Sequence, residues 1–122
     1  MLVPETEIIV TKDGAEILRK TVRPGDYVIG REPGCEVHLD VELVSRRHAQ
    51  LTVNFDHVLI EDLGSSNGTF VNGQPVTEVT RLWPNQKIQI GSATLELHRI
   101  KSVPPPNVSL APQAAAMQRL LP

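Results

Sequence analysis

The amino-acid sequence predicts an all-β protein that folds as an antiparallel β-sandwich. Apolar residues occur in short runs that alternate with polar residues, which is typical of strands buried on one face. Turn-forming residues separate these runs at roughly the 8 to 12 residue spacing of all-β domains. No helical period interrupts the pattern between Thr6 and Lys101. The runs number about ten, and short strands of this kind must bury one face against a second sheet.

The first runs predict a hairpin and a third strand. Residues 7–10 and 15–22 flank Lys12-Asp13-Gly14, where the Asp-Gly pair can adopt the positive φ angles of a tight turn. Residues 23–26 read Arg-Pro-Gly-Asp, and they turn the chain into the apolar segment 27–30 because proline presets φ and glycine relieves the next position.

Three strands are expected in the middle of the chain. A short one centres on Val37 and Leu39. Residues 48–53 alternate apolar and polar side chains, as a half-buried strand does. Residues 57–63 follow after a tight turn at 54–56.

The last strands are bounded by turn residues. Residues 69–71 lie between two Asn-Gly pairs, Asn67-Gly68 and Asn72-Gly73, each of which is a common turn signal. The segments 87–91 and 93–100 alternate again and complete the predicted sandwich.

Composition excludes several function classes. The net charge is −2, and four residues are aromatic, so the chain lacks the basic excess and the stacking surface of a nucleic-acid binder. No apolar stretch approaches the roughly 20 residues that span a bilayer, so no membrane association is expected.

The single cysteine, Cys35, cannot form an internal disulfide. We expect it to be a core thiol in a cytoplasmic protein.

Three loop clusters combine glycine with polar side chains, namely Gly30–Gly34, Ser45–His48 and Gly64–Gly73. As an enzyme site, Ser45 and His48 would require a third group and an oxyanion hole, and no nucleophile-elbow pattern surrounds Ser45. The first cluster lacks the order of a nucleotide-binding loop. The four histidines lack metal-ligand spacing, so no metal and no cofactor are expected.

An anion pocket fits these clusters better. Each cluster supplies donors for an anion. The first loop has an arginine after the third strand, the next has a hydroxyl and an arginine, and the third has a hydroxyl and an amide. Together they offer a planar charged fork and neutral donors. A side-chain phosphate carries a charge of about −1.5 to −2 and three acceptor oxygens, which match such a set.

Between Tyr27 and Gly91 the sequence contains YVIGRE, VHLD, VSRRHAQL, IEDLGSSNGTFVNGQPV and LWPNQKIQIG. In this order and spacing, the Gly-Arg, Ser-Arg-x-His, Ser-x-Asn-Gly-Thr and Asn-Gly motifs resemble a forkhead-associated (FHA) domain. The combination is highly specific, whereas each piece alone is weak. The resemblance implies an FHA/SMAD-like sandwich of about eleven strands, with its binding loops at one end, that recognises phosphothreonine peptides.

The resemblance also implies roles for individual residues. Arg31 would contact the phosphate and Ser45 would donate its hydroxyl to it. Arg46 would add a second charge, Ser66 a further donor, and Asn67 would pair with the main chain of the bound peptide. The residues implied to hold the loops are Gly30, His48, Gly68, Asn72 and Gly73. By contrast, Arg47 is expected to point into solvent, and Trp83 to be a packed turn anchor.

Domain boundaries follow from composition. We expect an N-terminal extension at residues 1–5, the FHA domain at 6–101, and a linker or tail at 102–122 that leads to further domains of a longer protein. Residues 102–122 contain five of the ten prolines, and three of these are consecutive, which favours an extended spacer.

The resulting prediction is a monomeric, non-catalytic module for phosphorylation-dependent protein–protein interaction in Ser/Thr kinase signalling. Its partner would be a phosphothreonine-containing protein, such as a Ser/Thr kinase or its substrate. Two alternatives stay open. One is a phosphate-independent scaffold or intramolecular regulatory domain, since a fold does not define a function. The other is a hydrolase built on Ser45 and His48.

Overall fold

The computed structural model describes residues 4–100, and they form eleven strands. The strands are β1 Glu5–Lys12, β2 Ala15–Val22, β3 Gly25–Gly30, β4 Val37–His38, β5 Ala49–Val53, β6 Val58–Asp62, β7 Thr69–Val71, β8 Gln74–Pro75, β9 Thr80–Leu82, β10 Lys87–Ile90 and β11 Ala93–Ile100. The predicted tail at 102–122 and residues 1–3 of the predicted extension lie outside the described residues.

The strands form two sheets that face each other. One has the order β2-β1-β11-β10-β7-β8 and the other the order β4-β3-β5-β6-β9. Alternate residues of both sheets enter one shared apolar core, which includes Ile8 and Val10 of β1 from the first sheet and Leu51 of β5 from the second. The predicted sandwich of about eleven strands is therefore confirmed.

Turn chemistry sets the hairpins, as the sequence predicts. Asp13 and Gly14 have φ angles of 53° and 78°, and Asn72 and Gly73 have 48° and 83°. Both pairs thus adopt the left-handed backbone of a tight hairpin turn. The Asn67-Gly68 pair differs, because only Gly68 has a positive φ, at 85°. These two residues end a loop that carries the chain from one sheet to the other.

Three short strands depart from the expected pattern. β4 pairs with β3 in parallel, through only Ile29↔Val37 and Gly30↔His38, so the sandwich is not wholly antiparallel. β8 and β9 have two and three residues, which is too short for an alternating pattern to be recognised. Pro75 is tolerated in β8 because this strand lies at a sheet edge and needs no further backbone donor.

Strand register places three loops at one end of the molecule. Ile29 and Asp62 are both paired with Ala49, so the end of β3, the start of β5 and the end of β6 lie side by side. The loops 31–36, 39–48 and 63–68 all leave from this end. The turns 54–57 and 83–86 lie at the opposite end, since Val53 pairs with Val58, and Val58 with Leu82.

Trp83 corrects one expectation. It is 57 % exposed instead of packed, and its neighbours in the turn, Pro84 and Asn85, are exposed as well. Within residues 4–100 there is no helix of the length and apolarity required to span a membrane.

Candidate functional site

Arg31 follows directly after β3 and is held against the β4–β5 loop. Its backbone N–H donates to the Ser45 carbonyl at 2.9 Å, and its side-chain Nε donates to the Val44 carbonyl at 3.0 Å. The residue is exposed, and the described part of the chain offers it no salt bridge. The terminal nitrogens of the guanidinium are therefore oriented while their charge stays available to an anion.

Ser45 joins the second loop to the third. Its hydroxyl oxygen accepts a hydrogen bond from the backbone N–H of Ser66 at 3.0 Å. A serine hydroxyl that accepts in this way keeps its own proton for another acceptor. Arg31, Ser45 and Ser66 thus bring the three loops together at one point of the surface.

His48 is completely buried and connects the second and third loops through its two ring nitrogens. Its Nδ1 accepts the backbone N–H of Ser45 at 3.0 Å, and its Nε2 lies 2.9 Å from the Gly68 carbonyl. Because Nδ1 is an acceptor, we assign the ring proton to Nε2, which donates to Gly68. Neither ring nitrogen is left to act as a base toward the Ser45 hydroxyl, and this geometry argues against a hydrolase.

Gly30 allows the first two loops to approach each other. A Cβ atom at this position would overlap the carbonyl oxygen of Arg46 and lie 2.9 Å from the Cys35 sulfur. Cys35 is buried, as predicted, and its thiol donates to the same Arg46 carbonyl at 3.2 Å. Burial raises the pKa of the Cys35 thiol, which keeps it protonated.

Asn67 reaches back across the site to the second loop. Its side-chain Nδ2 donates to the Leu43 carbonyl at 3.1 Å, and the residue stays exposed. Leu43 has a φ of 68° and is 59 % exposed. A groove of about 330 Å³ beside Asn67 is lined by Leu43 and Phe70, among others. Asn67 is therefore positioned next to a shallow, partly apolar channel.

Arg46 and Arg47 add positive charge to this end of the molecule. Both are exposed, and neither forms a salt bridge within residues 4–100. Arg47 is solvent-facing, as the sequence predicts. With Arg31, the first two loops carry three exposed guanidinium groups on a chain whose net charge is −2, and the Arg47 charge contributes to lowering the pKa of Glu36.

Asn72 and Gly73 lie farther along, and Gly73 lines the groove beside Asn67. They close the β7–β8 hairpin, and Asn72 exchanges two 2.8 Å hydrogen bonds with the backbone of Lys87. No hydrogen bond among the described residues links them to Arg31 or Ser45.

Asp62 organises the third loop, and the sequence reasoning missed it. Its carboxylate accepts the backbone N–H groups of Gly64 and Ser65 at 3.0 Å, and the hydroxyls of Ser65 and Thr69 at 2.6 and 2.7 Å. Burial alone would raise the pKa of Asp62, but these hydrogen bonds outweigh it and lower the pKa. Asp62 stands two residues before Gly64-Ser65, the spacing at which an aspartate side chain caps a turn, so a local signal was present.

Gly91 and Ser92 were also missed, and they support the second loop from the opposite sheet. A Cβ atom on Gly91 would lie 2.7 Å from the Leu43 carbonyl oxygen. The backbone N–H and the hydroxyl of Ser92 both donate to the Glu42 carbonyl, at 3.1 and 2.8 Å. No local signal reveals these contacts, since Glu42 and Ser92 are 50 positions apart.

The chemistry of the site is that of an anion receptor. It presents a charged fork, a hydroxyl proton and an amide on loops that hydrogen bonds fix in place. Within residues 4–100, no group of three or more His, Cys, Asp or Glu side chains could hold a metal ion.

Comparison with known proteins gives one family. The model described as "FHA domain" matches residues 27–91. The FHA domain-containing protein FhaB of Mycobacterium tuberculosis is 31 % identical over 90 residues, which are 74 % of this chain and 58 % of FhaB. The chain thus spans little more than half the length of this curated relative.

Solved structures give the same result. The FHA domain of the CT664 protein from Chlamydia trachomatis has a TM-score of 0.71 at 28 % identity, covering 76 % of this chain and 95 % of that one. A structure from a study of phosphothreonine-dependent FHA domain interactions has a TM-score of 0.66 at 28 % identity, covering 75 % and 94 %.

Proposed function

The chain belongs to the FHA domain family, and from this premise we propose that it recognises phosphothreonine in a partner protein and catalyses no reaction. The recognition role is assigned to residues 6–101. The partner would be a phosphoprotein of Ser/Thr kinase signalling, either a kinase or its substrate, and the interaction would depend on its phosphorylation.

The observation that carries this proposal is the convergence of Arg31, Ser45 and Ser66. Three separate loops meet there through the hydrogen bonds from Arg31 to the second loop and from Ser66 to the Ser45 hydroxyl. An array already fixed before binding avoids the cost of ordering side chains around the ligand. The array would therefore favour a compact, multiply charged group such as phosphate.

Each residue has a chemical task in this proposal. The guanidinium of Arg31 would donate charge-assisted hydrogen bonds to the phosphate oxygens, and the Ser45 hydroxyl would donate its free proton to another oxygen. Arg46 would add charge at the rim. Ser66 would supply a further donor, and Asn67 would exchange its bond to Leu43 for bonds to the peptide main chain.

Threonine would be preferred over serine by its methyl group. The groove beside Asn67 offers apolar surface from Leu43 and Phe70. Burial of one methyl group contributes about 0.8 kcal/mol. The expected preference for phosphothreonine is therefore several-fold and not absolute.

Relatives support a recognition role. The neighbour described in terms of phosphothreonine-dependent FHA domain interactions has a similar fold. In this chain, both nitrogens of His48 are engaged with backbone groups, so His48 is not free to act as a base toward Ser45, and this suits a binding site better than an enzyme site.

The proposal is tested by titrating a phosphothreonine peptide into the protein and into two arginine variants. Arg31→Ala is expected to weaken binding by about 2 to 5 kcal/mol, because it leaves the bound phosphate without its main charged partner. Arg47→Ala removes the same charge from a solvent-facing neighbour and should change affinity by well under about 1 kcal/mol. Calorimetry measures both.

Equal affinities for the protein and Arg31→Ala would rule out the proposed role. An unphosphorylated peptide that binds this end as tightly as the phosphopeptide would favour the phosphate-independent scaffold instead.

A further inference from the structure

A second cleft lies at the end of the sandwich opposite to Arg31 and Ser45. The turns 54–57 and 83–86 and the last part of β11 surround it, and its volume is about 550 Å³. Its floor is apolar and consists of Leu82, Ile88 and Leu97. An apolar cleft of this size with a few polar groups around it is typical of a binding site.

Trp83 forms one wall of this cleft and is 57 % exposed. The guanidinium of Arg81 lies over the indole ring, 4.2 Å from its centroid. Tryptophan and arginine are enriched at the centres of protein interfaces, since together they provide a large rigid surface and a charged, multiply donating group.

The turn that carries Trp83 is braced in its exposed position. The Gln86 side chain accepts the backbone N–H of Trp83 at 2.7 Å, and the Gln86 N–H donates to the Trp83 carbonyl at 3.3 Å. A fixed turn loses little conformational entropy when a ligand binds. The exposed indole ring of Trp83 is therefore already held in position before a partner binds.

The rim of the cleft is positively charged. Arg99 donates to the carbonyls of Asn54, Phe55 and His57, and neither Arg81 nor Arg99 forms a salt bridge within residues 4–100. The single carboxylate among the lining residues, Asp56, is bound to His57 Nδ1 at 2.6 Å. The Arg81 charge contributes to lowering the pKa of Asp56, but neither arginine forms a direct ion pair with this carboxylate.

We infer that this cleft is a second docking site, which binds an unphosphorylated peptide segment of a partner protein in which acidic residues flank an apolar side chain. The apolar side chain would contact Trp83 and the floor of the cleft, and the carboxylates would pair with Arg81 and Arg99. Residues 102–122 of the chain itself contain no carboxylate side chain, and Arg119 is their only charged one. They therefore lack the chemistry that the cleft favours.

Trp83 provides the readout for a test, because it is the only tryptophan of the chain. The probe is a pool of short, unphosphorylated peptides without Trp or Tyr, each with one Leu or Phe flanked by Glu or Asp and with Gly and Ser elsewhere. In the control pool, Lys replaces the acidic residues. We expect the acidic pool to change Trp83 emission saturably, and the Lys pool to bind at least about tenfold more weakly.

Two variants locate the binding. Arg81→Gln is expected to weaken the acidic pool about tenfold, as loss of an interface arginine does. Arg23→Gln makes the same charge change on an exposed residue that does not line the cleft, and should leave the affinity unchanged. The absence of a saturable emission change, equal binding of the two pools, or equal losses in the two variants would each overturn the inference.

The two sites are separated by one further comparison. Arg81→Gln should bind a phosphothreonine peptide like the unaltered protein, and Arg31→Ala should bind the acidic pool like the unaltered protein. If only phosphopeptide binding failed, the proposed function would be contradicted and the second site would be unaffected. If a phosphothreonine peptide competed with the acidic pool, the inference of a separate second site would be overturned.

Discussion

Gly30 demonstrates that a residue without a side chain can position the side chains of a site. Any Cβ at this position overlaps the Arg46 carbonyl oxygen, which belongs to backbone and cannot rotate away. The same carbonyl accepts the N–H of Glu32 at 3.2 Å, so moving it would also loosen the first loop. Gly30 is therefore required for the close approach of the two loops that carry Arg31 and Ser45.

Gly30→Ala is expected to lower the free energy of unfolding by about 3 kcal/mol, because overpacking against rigid backbone is among the most costly substitutions. Urea denaturation measures this. Gly34→Ala is the matched control, since a Cβ at Gly34 meets nothing within 4 Å. Similar denaturation midpoints for the two variants would contradict the close-packing role of Gly30.

At the scale of an element, the β6–β7 loop depends on one carboxylate. Asp62 ends β6 and accepts hydrogen bonds from three residues of the segment that follows, Gly64, Ser65 and Thr69. The Ser65 hydroxyl in turn accepts the Gly68 N–H at 2.9 Å. Because Ser66 and Asn67 lie inside this network, their positions follow from Asp62.

Asp62→Asn should destabilise the protein by about 1 to 3 kcal/mol, the range for hydrogen bonds to a charged and partly buried group. It should also weaken phosphopeptide binding, because the loop that carries Ser66 and Asn67 loses its anchor. Glu61→Gln removes one negative charge from the neighbouring, exposed position of β6 and serves as the control. If both variants had unaltered stability and affinity, Asp62 would not organise the loop.

For the whole molecule, the carboxylates favour folding at neutral pH. Six of them have a lowered pKa in the folded protein, namely Glu16, Glu36, Glu42, Asp56, Asp62 and Glu96. Ion pairs and hydrogen bonds cause this, as in the pair of Lys87 with Glu96 at 2.6 Å. A lowered pKa means that the unfolded chain binds protons more readily than the folded one.

The melting temperature is therefore expected to be constant near neutral pH and to fall once the pH drops below about 5, where unfolded carboxylates begin to take up protons. Calorimetric scans between about pH 7 and pH 3 measure this. Since most of these groups are exposed, each contributes little, and added salt should reduce the effect. A melting temperature that rises on acidification would contradict the sign of these shifts.

Strand existence and hairpin turns could be predicted because their causes are local. β2 spans residues 15–22, as the alternating pattern indicates, and Asp13-Gly14 adopts the expected positive φ angles. The motif spacing likewise predicted the family. β8 and β9 were missed because strands of two or three residues carry no detectable period, and no turn pairs bracket them on both sides as they bracket β7. The parallel pairing of β4 was missed because the pairing partner of a strand is decided by the tertiary structure.

The sequence by itself determined the all-β class, most strands and the residue types that an anion site needs, since alternation and turn propensity act between near neighbours. Only the tertiary structure decided which loops meet. Arg31 reaches Val44 across 13 positions, and Ser92 reaches Glu42 across 50. The tertiary structure also places Trp83 at the surface, beside a cleft. Contacts between residues so far apart depend on how the two sheets pack, and no short stretch of sequence encodes that.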